Sequence, residues 1–178
     1  MNETEALVKR IAEGIHIPDF RTWFFSEETK LELLAPAKNA EIAIAAINSG
    51  ADAVYIGAPQ FGARVAAANS ISDVSELVNY AHIYGAKVYV ALNTLLFDSE
   101  LDDAQVMIHS LYNIGVDALI VQDMGILEMD LPPIELHAST QTHNVNMDRI
   151  AFLEKVGFSR IILGRELSLE QISTIPFF

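Results

Sequence analysis

Four stretches of this chain repeat one pattern: an apolar helical run, a Gly, one or two further residues, then a β-branched or aromatic run. They are AAINSGADAVYIGA from Ala45, NYAHIYGAKVYVAL from Asn79, SLYNIGVDALIVQD from Ser110 and FLEKVGFSRIILGR from Phe152. Gly50, Gly85, Gly115 and Gly157 each fall where a helix must stop. The residue just past a helix end often takes the left-handed conformation that Gly enters without steric cost. Each Gly is therefore read as a helix-to-strand turn. The runs that follow, Ala53 to Ile56, Lys87 to Leu92, Ala118 to Val121 and Arg160 to Leu163, are almost continuously apolar rather than alternating, as strands covered on both faces require. Leu31 to Ala37 and Glu135 to Thr140 fit as two more strands.

Strands separated by helical stretches of roughly 10 to 15 residues imply parallel βαβ units with right-handed crossovers. The fold class is α/β, and the expected architecture is an incomplete TIM-type (β/α) barrel of about six parallel strand-helix units. A complete barrel of eight units needs about 250 residues, and this chain has 178. An open doubly wound sheet uses the same elements and is the alternative. Helix starts are expected near Ser72-Asp73, at Ser99, and at Ser168, which with Gln171 has capping-box spacing. Residues 1–29 do not share the repeat. Thr4 to Gly14 reads as a short amphipathic helix, and Pro18 to Phe25 as an aromatic-rich connector holding the only Trp, Trp23. The expected organisation is an N-terminal helical extension over 1–29 and a partial barrel over 30–178.

With 51% hydrophobic and 20% charged residues the chain can bury one globular core. Its formal charge of −13 repels polyanions, so RNA would have to be met by a basic surface from elsewhere. The absence of Cys excludes a disulfide framework, a thiol nucleophile and Cys-ligated zinc or iron–sulfur within this chain. No apolar stretch approaches the ~18 residues of a membrane span, which gives the expectation of a cytoplasmic protein with no membrane partner.

In a parallel barrel the chemistry gathers at the C-terminal ends of the strands, and here those ends are polar. They read Pro36-Ala37-Lys38-Asn39, Gly57 through Arg64, Asn93-Thr94, Gln122-Asp123, His137 through Gln141, and Gly164-Arg165-Glu166. Alternation along the fifth strand puts His137, Ser139 and Gln141 on one face. Buried imidazole, hydroxyl and amide groups without partners cost about 1 to 3 kcal/mol each, so such a face either binds something or bonds internally. Arg165 beside Glu166 offers an anion clamp next to an acid or base, or a structural ion pair. Gly57, Gly62 and Arg64 could bring backbone close to an anionic ligand, though they match no phosphate fingerprint. No metal spacing emerges: His82 and His109 read as helix-surface or packing residues, and His137 and His143 lack helical zinc geometry. Ser139 and His137 lie two apart on one strand, about 6.5 to 7 Å between Cα atoms, and so make a poor nucleophile–base pair.

The stretches LELLAPAKNAEIAIAAINSGADAVYIGA, YAHIYGAKVYVALNT, GVDALIVQDMGIL, LHASTQTHNVN and RIILGRELSLEQI, in this order, resemble the N-terminal half of the collagenase-like peptidase family, peptidase family U32, over about Lys30 to Ile172. The positions that carry the likeness are Glu32, Pro36 and Ala37; Asp52, Tyr55 and Gly57; Asn93 and Thr94; Asp123 and Gly125; His137, Ser139, Thr140, Gln141 and Asn144; and Arg165 and Glu166. Members were named as peptidases without agreed catalytic residues. The resemblance implies relatives that hydroxylate RNA bases, tRNA uridine or rRNA cytidine, or a quinone precursor, with prephenate as oxygen source in the RNA cases. It also implies an iron–sulfur cluster held by Cys residues C-terminal to the matched region. No cofactor is therefore expected within this chain itself.

Three functional readings follow. In the first, the chain is part of an RNA base hydroxylase: Asn93, Thr94, Arg64, Ser139, Gln141 and Arg165 bind a small anionic substrate, Glu166, Asp123 and His137 act in catalysis, and C-terminal regions meet RNA. In the second it is a collagenase-like peptidase, with Glu166 or Asp123 activating water as a general base. In the third it is an inactive fragment or half of a split assembly, self-associating through the open edges of the barrel.

Overall fold

The computed structural model describes residues 31–62 and 69–175. The expected helix from Thr4 to Gly14, the connector with Trp23, and Arg64 lie outside the described residues. Six strands, β1 (Leu34–Ala37), β2 (Ala53–Gly57), β3 (Lys87–Leu92), β4 (Ala118–Val121), β5 (Glu135–Ala138) and β6 (Arg160–Ile161), form one sheet. It is parallel throughout and ordered β1-β2-β3-β4-β5-β6. A doubly wound sheet reverses its order at a switch point. Consecutive order without reversal excludes that alternative and gives six successive strands of a (β/α) barrel.

Helices α1 (Ala40–Asn48), α2 (Ile71–Ile83), α3 (Leu101–Asn113) and α4 (Met147–Lys155) lie along the chain between strands. Each is followed by the expected turn, with Gly50, Gly85, Gly115 and Gly157 at φ 98°, 71°, 88° and 106°. The cap of α2 is Ser70 rather than Ser72: its hydroxyl accepts from the Asp73 N–H while Asp73 reaches back to the Ser70 N–H, a capping box placed one turn before the first buried residue, Val74. Ser99 falls inside a short 3-10 turn, Asp98–Glu100, which leads directly into α3. The sheet unit spans Glu32–Leu167. Beyond it, α5 (Leu169–Ser173) starts at the expected capping box of Ser168 and Gln171.

One crossover departs from the repeat. Between β4 and β5 stands a 3-10 turn, Met124–Glu128, in place of an α-helix. Pro132 and Pro133 follow so closely that no helix of ordinary length fits before β5, since proline clashes with the preceding turn and lacks a donor. Strands β1 and β6 are also shorter than expected. At β6 the ladder continues only to Ile162, whose N–H donates to the Ala138 carbonyl, before the chain turns at Gly164.

The near-continuous apolar runs are explained by cover on both faces. Val88, Val90 and Leu92 of β3, with Val54 and Ile56 of β2 and Leu119 and Val121 of β4, join Leu77, Ala81, Ile108 and Leu111 of the helices in the main core. Alternate residues Ala53, Tyr89, Ala91, Ala118 and Ile120 form a second, smaller cluster on the inner side of the sheet.

The residue two after the turn glycine braces neighbouring strands. Asp52 accepts the Leu33 N–H at 2.9 Å, and Asp117 accepts the Val88 N–H at 2.7 Å while standing 3.0 Å from His82 Nε2. Asp117→Ala leaves a part-buried amide without its acceptor and is expected to cost about 1 to 3 kcal/mol. The urea midpoint should fall with an unchanged m-value, and an unmoved midpoint would show the brace to be dispensable.

Candidate functional site at the strand ends

A cavity of about 490 Å³ opens at the C-terminal ends of the strands. Its apolar wall comes from Leu34, Tyr55, Ala91, Ile120 and Ile162, residues that alternate with the outward-facing core positions. Polar groups enter from the loops: Lys38 after β1, Asn93 after β3, Ser139 and Gln141 after β5, and Arg165 after β6. Four expected binding residues, Asn93, Ser139, Gln141 and Arg165, thus meet in one cavity. Lys38 was not singled out because a lone Lys one residue past a strand carries no motif; only the fold gives it Arg165 as a companion.

The loops that carry these side chains are fastened from below. Asn69, 4% exposed, donates to the carbonyls of Lys38 and Gly57 at 3.2 and 3.3 Å and so ties the first two strand ends together. Asn144, fully buried, donates to the carbonyls of Ser139 and Ile162 at 2.9 Å each and accepts from Thr142 Oγ1 at 2.6 Å. It fixes the β5 end against the β6 end. His143 beside it takes the left-handed conformation at φ 59°, which non-glycine residues adopt at some cost and which clusters at functional loops. Gly164 passes so close to this loop that a Cβ there would lie 2.6 Å from Val145 Cγ1. A side chain at 164 would displace the residue that delivers Arg165.

Other expected site residues are used differently. Asp123 spends both carboxylate oxygens on backbone, accepting from Leu96 N–H at 2.8 Å and Gly125 N–H at 2.7 Å. Thr94 Oγ1 donates to the Phe61 carbonyl at 2.9 Å. Both fasten rim loops and neither lines the cavity. Glu166 is exposed and its carboxylate folds back beside Gly164, outside the cavity wall. Arg64 lies outside the described residues.

His137 sits one step below Ser139 on β5, only 1% exposed, with both ring nitrogens unpartnered. Glu135 Oε2 is 3.5 Å from Nε2, outside hydrogen-bonding geometry. The imidazole stands edge-on to the Tyr89 ring at 4.8 Å, and Arg160 lies over that ring at 5.4 Å. Tyr89 donates to Glu32 Oε2 at 2.7 Å, and Arg160 binds the same carboxylate through both terminal nitrogens. Burial, reinforced by the Arg160 charge, pushes the imidazole below the ordinary His range, against the opposing pull of Glu135 and Glu32. Burial raises the Tyr89 hydroxyl, and its bond to Glu32 adds to this. For Glu32 burial works upward too, but the hydrogen bonds from Arg160 and Tyr89 outweigh it and hold the carboxyl low. This inner floor of charge and aromatic surface was not legible as a unit in the sequence, where its members are up to 128 residues apart.

The chain offers no Cys thiolate, and among the described residues no three His, Cys, Asp or Glu side chains gather as a metal site. Its residues therefore do not fit an iron–sulfur cluster. Also among the described residues, no helix is long and apolar enough to cross a membrane.

Six ordered parallel strands with a polar cavity at their C-terminal ends define a partial (β/α) barrel with a strand-end site. The profile of peptidase family U32 matches residues 38–177, and the chain belongs to that family. It is 61% identical over 146 residues to the 23S rRNA 5-hydroxycytidine C2501 synthase of Escherichia coli strain K12, covering 82% of this chain and 22% of that protein. It is 37% identical over 147 residues to tRNA hydroxylation protein P1 of Bacillus subtilis strain 168, covering 80% of this chain and 35% of that one. The chain thus spans well under half the length of these relatives. A solved U32 peptidase structure superposes with a TM-score of 0.60 over 78% of this chain and 61% of that one, at 12% identity, a likeness of fold.

A buried base whose pKa is depressed must take up a proton at a cost as the pH falls, so its effect on stability appears below its ordinary value. Stability should therefore decline as pH drops below 6.5, the ordinary His value, and again beneath 4.5 as the low-lying Glu32 carboxyl is finally protonated. In His137→Leu the first decline should vanish and the second remain, measured by urea melts across pH. A parent profile flat down to 4.5 would contradict a buried neutral imidazole.

Proposed function

We propose that this chain is the substrate-cavity portion of an RNA base hydroxylase acting on a cytidine of ribosomal RNA. The observation that carries this reading is the 61% identity to an rRNA 5-hydroxycytidine synthase across 82% of the chain. The cavity suits a small anion. Lys38 and Arg165 supply positive charge from opposite edges of the sheet, Asn93, Ser139 and Gln141 supply neutral hydrogen-bonding groups, and Tyr55 and Ile120 supply an apolar wall. A charge-bearing co-substrate held there would be oriented by bidentate contact with Arg165 and kept from bulk water by the apolar wall. The RNA surface, and the thiolate ligands of any cluster, belong to other parts of a longer protein. The net charge of −13 fits that division, because this region repels phosphate backbone.

A peptidase mechanism gains nothing from the geometry. Asp123 is committed to backbone amides, Glu166 lies outside the cavity wall, and His137 is buried a layer beneath Ser139 rather than beside it.

Mass spectrometry of nucleosides from ribosomal RNA tests the proposal. A strain lacking the gene should lose 5-hydroxycytidine, and restoring the full-length protein with Arg165→Ala should return less than about a tenth of it, the loss of one charge-assisted contact. Undiminished 5-hydroxycytidine in the deletion strain would overturn the assignment.

A further inference from the structure

The two edges of the sheet, β1 and β6, share no ladder hydrogen bonds among the described residues. They are nevertheless joined across the lumen. Glu32, two residues before β1, accepts both terminal nitrogens of Arg160, the first residue of β6, with Nη2 to Oε2 at 3.4 Å and a shorter bond from Nη1 to Oε1. Tyr89, from β3 in the middle of the sheet, donates to the same carboxylate at 2.7 Å and lays its ring under the guanidinium at 5.4 Å. Ala53 and Ala118, both fully buried, are the small inward residues of β2 and β4. They pack in one cluster with Tyr89.

Barrel floors are ordinarily packed with Val, Ile and Leu. The pair is partly open to solvent, with the Arg160 side chain 38% and that of Glu32 22% exposed, and ion pairs of that kind add little stability, so it is better explained by the geometry it fixes than by the stability it adds. What it can fix is visible at the other end of the same two strands. Lys38 stands six residues above Glu32, and Arg165 five residues above Arg160, both at the cavity mouth. At about 3.3 Å per extended residue, a splay at the base becomes a displacement at the rim.

We propose that Glu32 and Arg160, seated on Tyr89, are a positioning pair: a tether across the lumen that sets the spacing between Lys38 and Arg165 at the mouth of the cavity. Neither residue of the tether lines the cavity, so it acts only through the strands it joins.

The absence of native Cys lets a Lys38→Cys, Arg165→Cys pair carry the only two spin labels on the otherwise unaltered chain. Double electron–electron resonance then reads the rim spacing directly. The parent pair should give one narrow distance distribution. Glu32→Gln should broaden it and move it to longer distance, and Tyr89→Phe, which keeps the ring and removes one hydrogen bond, should do so to a smaller degree. Exchanging the charges, Glu32→Arg with Arg160→Glu, should narrow it again. A pair with only a structural role would lower the urea midpoint in these variants while leaving the rim distance unchanged, and that result would overturn the proposal. If Glu32→Gln fails to fold, Tyr89→Phe and Arg160→Lys decide the matter by the same distance readout.

Discussion

A sheet covered on both faces can present polar chemistry only at its ends. In this chain the outer face meets helices through Val88, Val90, Leu92 and Leu119, and the inner face closes on Tyr89, Ala91 and Ile120. Water reaches the polar groups where the strands stop, and because all six run parallel they stop on the same side. Loops more than 120 residues apart in sequence, those with Lys38 and Arg165, are brought to one cavity by that constraint alone. The buried Asn69 and Asn144 then convert neighbouring strand ends into a continuous rim by spending side-chain amides on backbone carbonyls.

The inner side of the sheet is layered. An apolar layer containing Leu34, Tyr55, Ala91, Ile120 and Ile162 lines the cavity, and the charged layer of Glu32, Tyr89, His137 and Arg160 lies beneath it. Burial pushes His137 toward its neutral form, whereas Glu32 is held low by its hydrogen bonds from Arg160 and Tyr89 against the upward pull of its own partial burial. Under the two proposals the layers divide the work: the upper one would meet ligand and the lower one would set the spacing of the strands that frame it.

Much of the architecture was legible in the sequence because it is local. The turn glycines, the doubly covered strands and the Ser168–Gln171 box each depend on residues a few positions apart, and each appears where local sterics place it. The crossover from β4 to β5 was misjudged because the repeat suggested a helix where Pro132 and Pro133 leave room only for a 3-10 turn. Strand-end position picks out Asn93, Ser139, Gln141 and Arg165, which line one cavity. It could not tell which polar groups face the cavity and which are used up on backbone. Asp123 and Thr94 look the same in sequence as binding residues, and only the Leu96, Gly125 and Phe61 partners reveal them as fasteners. His137 shares a face with Ser139, as alternation requires, yet a step of two residues carries it from the rim into the floor.

The proposed function requires that separate strand ends form one anion-receiving cavity. Backbone amide chemical shifts of the isotopically labelled chain, followed while a small dicarboxylate such as malonate is added, test it most directly. The account predicts saturable shifts at Asn93, Ser139, Gln141 and Arg165 that fit a single dissociation constant. Shifts absent from these four positions, or fitting unrelated constants at each, would contradict it.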